Sequence, residues 1–297
     1  MTGQREPITI DHPPQSESSK RRSTYIKDSA GRIRNIAEKH LVSSLLDETT
    51  ESKTALERAF QRERKVKEQQ QKNIERIVQL AYQSCKDETA GDPDQDWLYR
   101  YFELAKEIHN TSMQKLWAQV LKREVTNPGT TSVKALHVLR DMTPKEAQIL
   151  QRAASLSCSF GNEASKKLLI GLRATNGLFH FGKRDVMHTV SLGGFQLPYS
   201  SLLVLIELGL LHANELESGE IEREPPLSLI YQGTTYTLTP KSKGVRLLYY
   251  RFSPIGNELC TLLGNRGMSD YQEQMVALLS QKFTLTSDAP QSFHHEV

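Results

Sequence analysis

Between Asp96 and Leu150 the apolar residues of this chain recur at helical spacing, and a period near 3.6 fits no half-buried strand. Trp97, Tyr101, Leu104, Ala105 and Ile108 make one stripe, and Met113, Leu116, Trp117, Val120 and Leu121 a second. Val133, Leu136, Leu139 and Met142 make a third, and residues 145–158 finish a fourth helix. The starts are written in side-chain chemistry. Asp96, Thr111, Ser132 and Thr143 can each accept from a first-turn backbone N–H, and Gln114 and Glu146 stand where a capping box needs its return partner. Pro144 falls at the first helical position, where a missing N–H costs nothing. These signals predict a compact helical domain over residues 96–158 with Trp97, Tyr101, Leu116, Trp117, Leu136 and Leu139 in its core. The block contains no reactive constellation.

With 297 residues and 37% hydrophobic content the chain can supply one or two ordinary cores. Residues 1–30 are rich in Pro, Ser, Gln and charge without apolar periodicity, so they read as a disordered tail, as do residues 286–297. No apolar run follows Met1, which argues against a signal peptide. The longest apolar run, Leu202 to Leu211, is interrupted by Glu207 and falls short of the roughly 20 residues of a membrane span. A soluble, cytoplasmic protein is the expectation.

Residues 31–86 read as a polar helical arm. Ile33, Ile36, Ala37, His40, Leu41 and Leu45 mark one amphipathic stretch, and Leu56, Phe60, Val66, Ile74, Ile77, Val78 and Ala81 a second. The intervening RERKVKEQQQKN has almost no apolar face, so a coiled-coil heptad is not sustained beyond a short stretch. Residues 20–86 hold 16 Lys and Arg against 9 Asp and Glu, so their net charge of +7 exceeds the +3 of the whole chain. The basic side chains Arg58, Arg62, Arg64, Lys65, Lys67, Lys72 and Arg76 are therefore the candidate contacts to nucleic acid or to a protein partner. The bland alternative is an ordinary solvated face with pairs such as Glu63 and Lys67.

Residues 87–96 form a Gly/Pro/Asp connector. Asp92, Asp94, Asp96 and Glu103 fit positions one, three, five and twelve of a calcium loop, but the sixth position is Trp97 where a sharp turn needs Gly. Helix capping explains the aspartates better. Cys85, Cys158 and Cys260 lie far apart, each beside apolar residues in a helical pattern, and read as small buried hydrophobes in a reducing compartment. His180, His188 and His212 lack any ligand spacing, and the terminal His294-His295 belongs to a tail. No metal and no cofactor is expected.

Beyond Phe160 the composition shifts to short apolar pieces punctuated by Gly, without a phosphate-binding pattern. LPYSSLLVLIELGLL reads as a helix closed by Gly209, LSLIYQGTTYTLT as a hairpin turned at Gln232-Gly233, and VRLLYYRFS as a strand. Ser253-Pro254 caps a helix through Ile255, Leu259, Leu262 and Leu263, and a last helix runs from Tyr271 to Lys282. Helix, hairpin, strand and S-P-x-G-x-E-L in that order are similar to winged-helix folds. The fold expected is mainly α with a smaller α+β part: a polar helical arm, a compact helical middle domain, and a winged-helix-like α+β module over residues 160–285.

The order D-W-x(4)-F, Q-x-x-W-A-x-x-L-x-x-E, then P-G-x-x-S-x-x-A-L-x-V-L-R-x-M-T-P-K-E-A resembles the signature block of an uncharacterised bacterial and prophage-borne family of unknown function. W-A-x-x-L followed by L-x-x-M-T-P-K-E-A-x-I-L is also similar to a block in abortive-infection proteins of the alpha class. Together these cover about a fifth of the chain. They imply a bacterial, intracellular, phage-related setting and carry no catalytic residues.

No G-x-S-x-G, Cys/His pairing, phosphate loop or zinc spacing is present, so the chain does not read as an enzyme and no small-molecule substrate is expected. Two classes remain. One is an interaction or sensor protein that binds a protein partner, or itself, through the arm. The other is a nucleic-acid-binding regulator with a basic arm and a winged-helix-like module; against it, residues 199–208 offer only Tyr199, Ser200, Ser201 and Glu207 for base reading.

Overall fold

The computed structural model describes residues 28–46, 53–86, 88–161, 163–175, 185–263 and 266–288. The calls on residues 1–27, on His180 and on the tail from 289, His294-His295 included, lie outside the described residues. The chain divides into two compact units, Met1–Val66 and Lys67–Val297.

In the first unit α1 spans Ser29–Lys39, starting inside the segment expected as tail because Asp28 caps it by accepting from Gly31 N at 2.9 Å. His40 ends the helix and Leu41 turns the chain at φ 58, so Leu41 and Leu45 are not part of its stripe. The longest helix, α2, spans Ala55–Ser84 and crosses the boundary between the units. Its first turn carries a reciprocal pair: Thr54 N donates to Glu57 Oε2 at 2.7 Å and Glu57 N donates to Thr54 Oγ1 at 3.2 Å.

In the second unit four helices follow, α3 (Gln95–Ala105), α4 (Thr111–Thr126), α5 (Val133–Asp141) and α6 (Pro144–Leu156). Ser132 caps α5, and Thr143 with Glu146 forms the capping box of α6 behind Pro144. Two caps differ from the expectation. Asp94 rather than Asp96 caps α3, accepting from Trp97 N, and Asn110 rather than Thr111 caps α4, accepting from Ser112 N and Met113 N. An Asp or Asn one or two residues earlier reaches the N2 and N3 amides, which leaves Asp96 free to favour the positive helix end and Gln114 free to bond Ile108 O. Gln114 therefore completes no box. Trp97, Tyr101, Leu116, Trp117, Leu136 and Leu139 are buried, with Tyr101 5.2 Å from Trp97 and 5.3 Å from Trp117 by ring centroids.

The helical run ends at Leu156, and Cys158 lies in a strand, not in a helix. β1 (Cys158–Phe160), β2 (Lys167–Thr175), β3 (Asp185–Thr189), β4 (Leu216–Glu217), β5 (Leu227–Tyr231), β6 (Thr234–Pro240), β7 (Val245–Arg251) and β8 (Phe283–Ser287) form one antiparallel sheet. Its path is β4-β7-β2-β1-β5-β6-β8. β3 pairs β2 beyond the single β1 pairing at Lys167, and β8 extends the fold past residue 285. The hairpin β5–β6 turns at Gln232 (φ 49) and Gly233 (φ 89), both in the left-handed region that a two-residue hairpin loop of the primed type needs. Helices α7 (Tyr199–Glu207), α8 (Pro254–Leu262) and α9 (Ser269–Ser280) complete the described unit. Ser253 caps α8 and donates to Gly209 O at 2.6 Å, while Gly256 lies so close to Leu210 O that no Cβ fits. One contiguous set of buried side chains runs from Ile77 through the helices to Phe283. The fold is mixed α+β.

Candidate functional site

The seven basic side chains singled out in the sequence all lie on α2. At about 100° per residue, Arg58, Arg62, Lys65, Lys72 and Arg76 fall within roughly 80° of arc, and Arg64 and Lys67 lie outside it. The apolar residues Leu56, Phe60, Ile74 and Val78 occupy the opposite side of the same helix. Lys65 Nζ donates to Lys39 O at 2.8 Å, Arg58 Nη1 to Lys53 O at 2.6 Å, and Arg76 Nη1 to Gln79 Oε1 at 2.7 Å. These neutral partners fix the side chains without cancelling their charge. On the apolar side, burial fails: Leu56 and Phe60 are 65% and 60% exposed, as are Ile33, Ile36 and Val42 to a similar extent, and Leu45 is 95% exposed.

Several residues of the signature block hold the fold together. Glu124, buried at the end of α4, accepts from Gly129 N and from Thr131 N at 3.0 Å, so it holds the Pro128-Gly129 loop and is more than a helix-end charge. Glu258 Oε2 accepts from Ser132 N at 2.9 Å, and Trp97 Nε1 donates to Thr131 O at 2.7 Å. The backbone N–H groups of this loop, which could otherwise cradle an anion, are already answered by two carboxylates. Next to it an open cleft of about 600 Å³ is lined by Asp92, Asp94, Asp96, Arg100 and Glu124. Residues 95–105 are helical, so the calcium-loop geometry is absent, and among the described residues no group of three His, Cys, Asp or Glu is placed to hold a metal ion.

The cysteines differ from one another. Cys158 and Cys260 are buried, and burial pushes the Cys158 thiol up to about 12 and raises Cys260 further. Cys85 is exposed, contrary to its reading as a buried hydrophobe, because it follows the last turn of α2, where its Sγ donates to Ala81 O at 3.3 Å and its N–H to Tyr82 O at 3.1 Å. Lys167 is buried without a carboxylate, its Nζ donating to Phe160 O at 2.9 Å and Ser165 O at 3.3 Å above the Phe160 ring, and burial lowers its pKa. It ties β1 to β2.

A second cleft, of about 620 Å³, was not visible in the sequence. It lies along α6, with Lys145, Gln148, Arg152 and Ser155 on one wall and Gln196 and the 266–268 segment on the other. Arg152 Nη2 donates to Gln196 Oε1 at 2.7 Å, and its Nη1 lies 2.9 Å from Met268 Sδ. The signal available was the i, i+3, i+7 spacing of Lys145, Gln148 and Arg152. Its second wall comes from segments more than forty residues away.

An exposed helical arm is joined in sequence to a mixed α+β body. The chain belongs to a family of proteins of unknown function, DUF2806, whose model matches residues 57–276, about three quarters of its length. No curated protein and no solved structure matches it. Among the described residues no helix is long and apolar enough to cross a membrane.

Proposed function

We propose that the protein is a non-enzymatic interaction or sensor protein of the cytoplasm whose arm, α1 with the first turns of α2, docks an apolar surface of a protein partner or of a second copy. The observation that carries this reading is the exposure of Ile33, Ile36, Val42, Leu45, Leu56 and Phe60 together in one short unit. Exposed apolar groups scattered singly are ordinary, whereas a set concentrated on α1, the turn after it and the start of α2 supports an association surface. Changing Leu56 and Phe60 to Asp in the full chain tests it. Sedimentation and capture from a native extract should show an oligomer or protein complex with the wild type that the double variant loses. A wild type that is monomeric and captures nothing would overturn the reading. The similarity of W-A-x-x-L and M-T-P-K-E-A to abortive-infection proteins makes phage challenge the physiological setting in which to perform the capture.

The basic stripe Arg58, Arg62, Lys65, Lys72 and Arg76 favours a second reading, a nucleic-acid-binding regulator that contacts phosphates along α2. In it the module over residues 160–285 acts in winged-helix fashion, with β5–β6 as the wing. α7 exposes Tyr199 and Leu203 in place of Arg, Lys, Asn or Gln, so its contribution is to shape rather than base identity. Neutralising Arg62, Arg64, Lys65 and Lys67 should then weaken binding to every sequence alike and flatten its salt dependence. Complexes that disappear on nuclease treatment support this reading against the first.

A further inference from the structure

We propose that the cleft along α6 is a binding site for a small molecule carrying phosphate groups, with Arg152, Lys145 and Arg266 as its anion contacts. A volume of about 620 Å³ is within the range of small-ligand sites. Three cations line it and no carboxylate does. Among the described residues none of the three has an ion-pair partner, so the positive charge of the cleft is not answered by the protein. Like charges gathered in a concave, partly dry surface raise the local potential and concentrate anions there.

Arg152 is half-buried and held in place. Gln196 Oε1 and Met268 Sδ orient its guanidinium while leaving its charge intact, and its remaining N–H donors are available for the paired acceptor oxygens of a phosphate. The walls are fixed from behind. Tyr231 Oη donates to Ser155 O at 2.8 Å and accepts from Met268 N at 3.0 Å, and Gln232 Nε2 donates to Ala154 O at 3.1 Å. These bonds tie the carboxyl-terminal turn of α6 to the 267–268 segment, so the two walls are held together before any ligand arrives.

Lys145 and Arg152 are two helical turns apart on one face, about 10 Å along the axis, a spacing that suits a diphosphate or a ligand with two anionic groups better than a single phosphate. Ile149 and Met268 supply the apolar lining for its remaining atoms. No aromatic ring lines the cleft, and without a stacking platform a single-stranded polynucleotide gains little there.

The test is calorimetric titration of the full chain with inorganic pyrophosphate, orthophosphate, ATP and a short single-stranded oligonucleotide. Saturable binding of pyrophosphate or ATP, tighter than orthophosphate, is expected, and Arg152→Gln should weaken it by about tenfold or more. Lys145→Ala combined with Arg266→Ala removes two exposed side chains, so a folded variant with the same loss supports the site even where Arg152→Gln perturbs folding. Arg62→Gln on α2 should leave pyrophosphate binding unchanged. The proposal is overturned if the wild type shows no saturable binding up to millimolar pyrophosphate or ATP, if the cleft variants bind as the wild type does, if α2 neutralisation alone abolishes binding, or if the oligonucleotide binds more tightly and displaces pyrophosphate.

Discussion

Helices α2 and α4 begin from comparable sequence signals and end differently. Each opens with a side-chain cap and each carries apolar residues at helical spacing, yet Phe60 on α2 is 60% exposed and Trp117 on α4 is fully buried. The difference lies in the width of the stripe. α4 places Met113, Leu116, Trp117, Val120 and Leu121 at i, i+3, i+4, i+7 and i+8, wide enough to cover a core, whereas on α2 the turn after Phe60 brings Glu63 and Lys67 onto the same face. Caps and propensity make a helix in both places. Only a wide apolar face obliges it to pack.

The comparison can be broken most severely at Trp117. Its replacement by Ala should cost about 3–5 kcal/mol in denaturant unfolding, because a fully buried indole leaves a cavity that its neighbours fill only in part. A cost below that of an exposed residue would mean that α4 is no better packed than the arm. Glu124→Gln comes next. The amide would turn a donor toward Thr131 N–H or Gly129 N–H, and a loss of about 1–3 kcal/mol is expected, read from the same unfolding curves.

Phe60→Asp sharpens the contrast from the other side. Its effect on monomer stability should stay within about 0.5 kcal/mol, while association measured by sedimentation changes. A large stability loss would show that Phe60 is core. The smallest effect expected is at the start of α2, where the backbone N–H and hydroxyl of Thr54 hold the Glu57 carboxyl below its usual range. A carboxylate with a lowered folded pKa adds stability above its unfolded pKa and gives it up as pH falls through the folded value. Acid titration of helicity should therefore show a step in the wild type that is missing in Glu57→Gln.

These contrasts also mark what could be read from the chain alone. The caps Ser132 and Thr143, the Gln232-Gly233 turn and the Gly209 helix end depend on residues within a few positions of one another, and they were legible. The caps at Asp94 and Asn110 were missed by one or two residues because neighbouring Asp and Thr side chains offer the same chemistry. β1 and β2 were not legible as strands. β2 is buried on both faces along most of its length, so it lacks the alternation that betrays a half-exposed strand. Thr54 and Glu57 present the T-x-x-E signature of a capping box within four residues of sequence. The basic cleft was out of reach, since Arg152 meets Gln196 and Met268 only after the fold has brought α6, the 3-10 turn Leu192–Phe195 and the 266–268 segment together.

The bond from Ser132 N to Glu258 joins residues 126 positions apart. On a ribosome adding about 5–20 residues per second, the α4–α5 loop is made roughly 6–25 s before its carboxylate exists. When that interval begins the two tryptophans and their helix caps have already been synthesised, but one amide of the loop faces water. The helical block is thus complete in sequence long before it is complete in hydrogen bonds, and a nascent chain stalled between these two points would present this loop in a form that the finished protein never shows.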